Sequence, residues 1–185
     1  MTNDPSSNPD SILGQEFLTW LWYQSDVAPA FFKTDKGEPF LVSMEKRITV
    51  SGGEGDARET ASVSATVESP LREARMGLNR GKKVTRALVH ISKDELAFDV
   101  SLKADDFSLN SLKTPKIDKT DKDDDPDALF LEKVALIETG VQLLDCLYRQ
   151  FLTLRFDGEA WNRTVSGIHD WMAGRAGLGS GGDQA

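Results

Sequence analysis

Apolar side chains return at Phe130, Val134, Ile137, Val141, Leu144, Tyr148 and Phe151, with spacings of 4, 3, 4, 3, 4 and 3 residues. Such spacing collects on one face only in an α-helix, so one helix from Pro126 to about Arg155 dominates whatever this chain folds into. Pro126 suits a first helical turn, and Asp123 to Asp127 place negative charge at the positive end of the helix dipole. A second apolar row, Leu129, Leu136, Leu143, Leu147 and Leu154, widens the stripe beyond the seam of a two-stranded coil. Packing across a sheet accommodates that breadth, and the remainder is open to contact in a dimer. Gly140 costs the helix about 1 kcal/mol against alanine, so close approach of another backbone is expected there.

The other elements are shorter. The dense apolar and aromatic run Ile12 to Tyr23, with Trp20 and Trp22, predicts a helix that starts near Ser11 and stops around Asp26 to Pro29. Phe40 to Val42, Ile48 to Val50 and Ala61 to Val67 read as strands, the last two joined through a hairpin tip at Glu54 to Asp56. Ser69-Pro70 is a helix start and Gly81 a stop, which predicts a short basic helix over Leu71 to Arg80. Val84 to Ile91 and Leu96 to Leu102 alternate as a hairpin turning at Lys93-Asp94. Lys113 to Asp125 has the composition of a loop, and Trp161 to Met172 is a final amphipathic helix. Strands followed by helices imply an α+β fold, an antiparallel sheet of about five strands packed by the Trp-rich helix and the long C-terminal helix.

The 185 residues suit a single domain over residues 11–173. The polar, proline-marked stretch 1–10 and the glycine-rich stretch 174–185 are expected to be disordered, because neither buries enough apolar surface to offset its ordering entropy. A single cysteine, Cys146, excludes an internal disulfide and suggests a reducing compartment. The absence of a long apolar stretch and of a basic-then-apolar start leads to the expectation of a cytoplasmic protein without membrane contact.

Catalytic chemistry finds little to work with. His90 lies mid-strand and His169 beside Trp171, neither within a nucleophile–base motif, and Cys146 beside Leu147 reads as a buried thiol. Asp121, Asp123, Asp125 and Glu132 occupy calcium-loop positions, but Pro126 stands where the sharp turn demands glycine. Gly77 to Lys83 is one residue too short for a phosphate loop and has Lys83 where a hydroxyl should hold magnesium. The expectation is a non-enzymatic protein with no cofactor and no metal.

Charge is more informative. Leu71 to Lys93 contains seven basic residues against Glu73, a local charge of +6 in a chain whose total is −8. Arg72, Arg75, Arg80, Lys82, Lys83 and Arg86 could track phosphates as one strip while the acidic remainder stays clear of the polyanion. The competing possibility is that these cations pair with neighbouring carboxylates, and that the chain is an acidic protein–protein interaction module which ignores DNA.

The segments Glu16-Phe17-Leu18-Thr19-Trp20-Leu21-Trp22-Tyr23, Asn79-Arg80-Gly81-Lys82-Lys83-Val84-Thr85-Arg86-Ala87 and Phe107-Ser108-Leu109-Asn110-Ser111-Leu112-Lys113, followed by a long helix with Phe130-Leu131 and Ile137-Glu138, suggest a family. From about Leu13 to Leu154 the chain resembles the C-terminal half of the recombination-associated protein RdgC. The resemblance implies a nucleoid-associated, non-enzymatic protein that binds double-stranded DNA with little sequence preference, forms a homodimer, and restrains a recombination protein partner. The family's basic run before the short helix is replaced here by Ser62 to Glu68, which concentrates the expected DNA contact on Arg80, Lys82, Lys83 and Arg86.

Overall fold

In β-strands successive side chains point to opposite faces, and here the two faces differ sharply in chemistry. Val84, Ala87, Val89 and Ile91 are buried on one face, as are Phe98, Val100 and Leu102, while Arg86, Leu88, His90, Asp99, Ser101 and Lys103 occupy the other. The computed structural model describes residues 9–29, 31–52, 59–63, 68–106, 108–117 and 126–175, with side chains excepted at 9–11, 45–46, 59–63 and 68–72. Helix α1 (Pro9–Val27) is followed by β1 (Leu41–Gly52), β2 (Glu59–Val63), α2 (Glu68–Asn79), β3 (Lys83–Lys93), β4 (Leu96–Lys103), β5 (Leu109–Lys113), α3 (Pro126–Phe156) and α4 (Gly158–Met172). The strands form one antiparallel sheet in the order β2-β1-β3-β4-β5.

The α+β class and the five strands agree with the sequence, but the strands are not the same five. Leu41 and Val42 of the first and Ile48 to Val50 of the second belong to a single strand, with Phe40 just before it. A register shift between Ser43 and Arg47 lies between the two stretches, and pairing with β3 resumes at Arg47 and Leu88. The fifth strand is Leu109–Lys113, a largely exposed edge whose mixed polar composition conceals it. Helix α1 begins at Pro9, two residues before Ser11. Helix α2 begins at Glu68, so Ser69 lies inside it. Asp157 caps α4, its side chain accepting from the Ala160 N–H at 3.0 Å. The hairpin tip Glu54 to Asp56, the calcium-like positions Asp121 to Asp125 and most of both tails lie outside the described residues.

Helix α1 is apolar nearly all round, with Phe17, Leu18, Trp20, Leu21 and Trp22 at 2% exposure or less. A helix of that kind must be covered on several sides. One side packs on β1 and β3, and another meets α3 and α4. Phe17 stacks on Tyr148 with centroids 4.2 Å apart, and Trp22 meets Trp171 edge-on at 5.1 Å. The approach of α1 to the end of β4 is close enough that a Cβ on Gly14 would collide with the Ala104 carbonyl oxygen. At Gly140 the neighbours are side chains, Phe98 and Leu112, rather than the backbone that the sequence leads one to expect. The apolar core thus lies between the inner sheet face and the helices, and the outer face presents side chains that solvent reaches.

Candidate nucleic-acid interface

The pairing register places the outer-face residues in rows across the strands. Thr49, Arg86 and Lys103 form one row. Arg47, Leu88, Ser101 and Ser111 form the next, and Ser43, His90, Asp99 and Lys113 the one after. Thr85 is the extra residue of a bulge, since Arg86 pairs with Thr49 while Val84 pairs with Val50, and this lets Val84 and Ala87 both point into the core. Lys83 pairs with Ser51, which brings it to the outer face one step from Arg86. Adjacent strands lie about 4.8 Å apart, so Arg47, Arg86 and Lys103 fall on neighbouring strands in adjacent rows, with Lys83 beyond them on β3, while Lys113 lies two rows away from Lys103.

Arg47, Lys83 and Arg86 are exposed and form no ion pair among the described residues. Lys103 has Asp106 nearby. That carboxyl is held below the usual range first by hydrogen bonding from Ser108, whose N–H donates at 2.9 Å, and in smaller part by the Lys103 charge. Asp99 is engaged by His90, Nδ1 to Oδ1 at 2.8 Å. The described residues of the face include no Phe, Tyr or Trp.

The six expected contact residues do not share this surface. Lys83 and Arg86 are on it. Arg80 is exposed in the turn after α2, where Gly81 takes φ 88° to reverse the chain. Lys82 is half-buried, its stem lying against Gly52 and close to Gly77. Arg75 is committed elsewhere: its guanidinium sits 5.3 Å over the Trp171 ring and 3.7 Å from Asp26, and Asp26 also accepts from the Trp171 indole N–H at 2.9 Å. This triad ties α1, α2 and α4 together, so Arg75 is a packing residue. Arg72 falls on α2, and its side chain is outside the described set. Lys93, at the far end of β3, pairs with Glu38 and Asp94, and hydrogen bonding to both raises its pKa.

Arg47, Lys103 and Lys113 escaped the sequence reading because they lie far from the basic stretch in the chain. The strand alternation that assigned Leu96, Phe98, Val100 and Leu102 to one face already placed Lys103 on the other, but only pairing across strands brings it beside Arg86. The segment Gly77 to Lys83 runs from helix through turn to strand, the reverse of a phosphate loop's strand-to-helix order. Cys146 is buried beside Asp35 and Arg149, and burial pushes its thiol above the ordinary value. No described helix is long and apolar enough to cross a membrane. Comparison with family models, with curated proteins and with solved structures finds no match.

Proposed function

We propose that this chain binds duplex DNA without sequence preference through the open face of its sheet. One observation carries the reading: Arg86 and Lys103 stand directly opposite each other on neighbouring strands, with Arg47 and Lys83 close by, on a face that no described helix covers. Like charges directly opposite destabilise a sheet pair. Maintaining them in a chain of net charge −8 makes physical sense if a polyanion neutralises them. Single-strand binding by base stacking relies on large aromatic platforms, and the described face carries no Phe, Tyr or Trp, so contact with the duplex backbone is favoured. The acidic helices lie on the opposite side of the sheet and would orient the protein in the duplex field. The resemblance to the RdgC family points in the same direction, towards recombination or nucleoid organisation.

A gel-shift titration of the purified chain on random duplex at several salt concentrations tests the proposal. Affinity should fall linearly on logarithmic axes, with a slope of about 0.9 per phosphate neutralised. Arg86→Glu with Lys103→Glu should lower both affinity and slope more than Arg75→Ala does. A wild-type chain that retards no duplex even at low salt would overturn it.

A further inference from the structure

Between the last turns of α2 and the end of α4 the helical side of the molecule opens a cleft of about 480 Å³, within the size range of small-molecule sites. Arg75, Met76 and Asn79 form one wall, and Trp171, Met172 and Ala173 the other. Helical spacing explains the first wall, since residues three and four apart share a face, while Ala74 and Leu78 turn into the core. Met76 is 50% exposed and Met172 partly buried, so two thioether side chains, which adapt to ligands of varied shape, stand on opposite walls.

Arg75 gives the cleft its electrostatic preference. Trp22 and Tyr23 hold Trp171 edge-on, with centroids 5.1 and 5.9 Å from it, and the Arg75 guanidinium rests 5.3 Å over the Trp171 ring. Asp26 is 3.7 Å from that guanidinium, too far for a hydrogen bond, and accepts from the Trp171 indole N–H instead. Among the described residues Arg75 therefore donates no hydrogen bond, and its side chain stays 30% exposed at the cleft. A guanidinium fixed by packing, with unused N–H donors in a planar fork, matches the two oxygens of a carboxylate. The negative ends of the two helices do little to oppose an anion. The Gly77 and Leu78 carbonyls of α2 accept from the turn at Arg80 to Lys82, and the His169, Asp170 and Trp171 carbonyls of α4 accept from Ala173 to Arg175.

We propose that this cleft binds a small carboxylate with an apolar tail, its carboxylate on Arg75 and its tail against Met76 and Met172. The packing that ties α2 to α4 thus also presets a ligand site. This inference stands apart from DNA binding, because the cleft lies among the helices on the covered side of the sheet.

Octanoate titrated into the full chain carrying carbon-13 methionine methyl groups tests it by nuclear magnetic resonance. The four methionines give separate reporters, of which Met44 is buried in the core. The Met76 and Met172 methyl resonances should shift saturably, half-saturating at about 1 mM or below, while Met44 stays in place. Octylammonium, with the same tail and the opposite charge, should leave all four unmoved. Arg75→Gln should weaken octanoate binding by about tenfold, the scale of a lost charged hydrogen bond. Should that variant prove poorly folded, Asn79→Asp at the exposed rim adds a repelling carboxylate without touching the core and should weaken binding several-fold. Absence of a saturable shift at Met76 and Met172, equal shifts with octylammonium, or octanoate binding indifferent to Asn79→Asp would each overturn the proposal.

Discussion

Arg86 on β3 and Lys103 on β4 are direct partners across the antiparallel ladder, two cations side by side on the outer face of the sheet. Their separation is set by strand pairing, so neither can withdraw its backbone from the other. Under the proposed DNA-binding role, stability and binding make opposite demands on this pair.

Lys103→Glu turns the repulsive pair into an attractive one. Folding stability should rise by about 0.2–1 kcal/mol, the usual scale of a cross-strand charge pair, while duplex affinity falls and its salt slope decreases by about 1. Urea denaturation and salt-dependent gel shifts on the same preparation check the two signs. A variant that lost both stability and affinity would argue against a functional origin for the pair.

Arg75 gives the converse. Its position over Trp171 and beside Asp26 makes it part of the packing between α2 and α4, so Arg75→Ala should cost about 1 kcal/mol of stability. The salt slope for DNA should not change. A drop in slope equal to that of Arg86→Glu would show that Arg75 reaches phosphate after all.

At Gly14 the added methyl group of alanine would overlap the Ala104 carbonyl, which is backbone and cannot rotate away. Gly14→Ala should therefore destabilise by about 1–3 kcal/mol through displacement of α1, even though alanine is the better helix former. Urea midpoints of the wild type and variant measure it. Gly140→Ala meets side chains of Phe98 and Leu112, which can shift, and should cost less.

Alkaline pH should weaken the fold through α3. Burial raises the Cys146 thiol above its reference value of 9.0 and the Tyr148 phenol above 10.0, because the core disfavours their charged forms. Folded-state values above the unfolded ones mean that the folded chain holds these protons more tightly. Their contribution is then fully present below about pH 9 and is lost as pH rises from there towards the folded values. Equilibrium unfolding between neutral pH and pH 11 should show a steeper decline for the wild type than for Cys146→Ala or Tyr148→Phe. Equal slopes would mean that other groups govern the alkaline limit.

Much of the architecture was legible in the residues alone, because it rests on local periodicity. The 4-3 spacing from Phe130 to Phe151 predicts a helix over Pro126 to Arg155, and the structure ends it one residue later at Phe156. The alternation in Val84 to Leu102 predicts the β3–β4 hairpin, and its turn forms at Asp94, with φ 53°. What the periodicity does not contain is which residues from distant segments become neighbours. Leu109–Lys113 is a strand only because β4 offers it an edge. The stretches read as two strands, Phe40 to Val42 and Ile48 to Val50, join only because both pair with β3 across a register shift.

The same division separates charge from surface. Composition determined that cations cluster between Leu71 and Lys93 and that the rest of the chain is acidic. Tertiary structure decided that Arg75 is spent on Trp171 and Asp26, that Arg47 and Lys103 join Arg86, and that, among the described residues, the second half of the long apolar helix is covered and the first is not. Periodicity is a property of a few consecutive residues and survives in any context. Adjacency across strands and burial of one half of a helix depend on where the rest of the chain lies, and no local pattern encodes that.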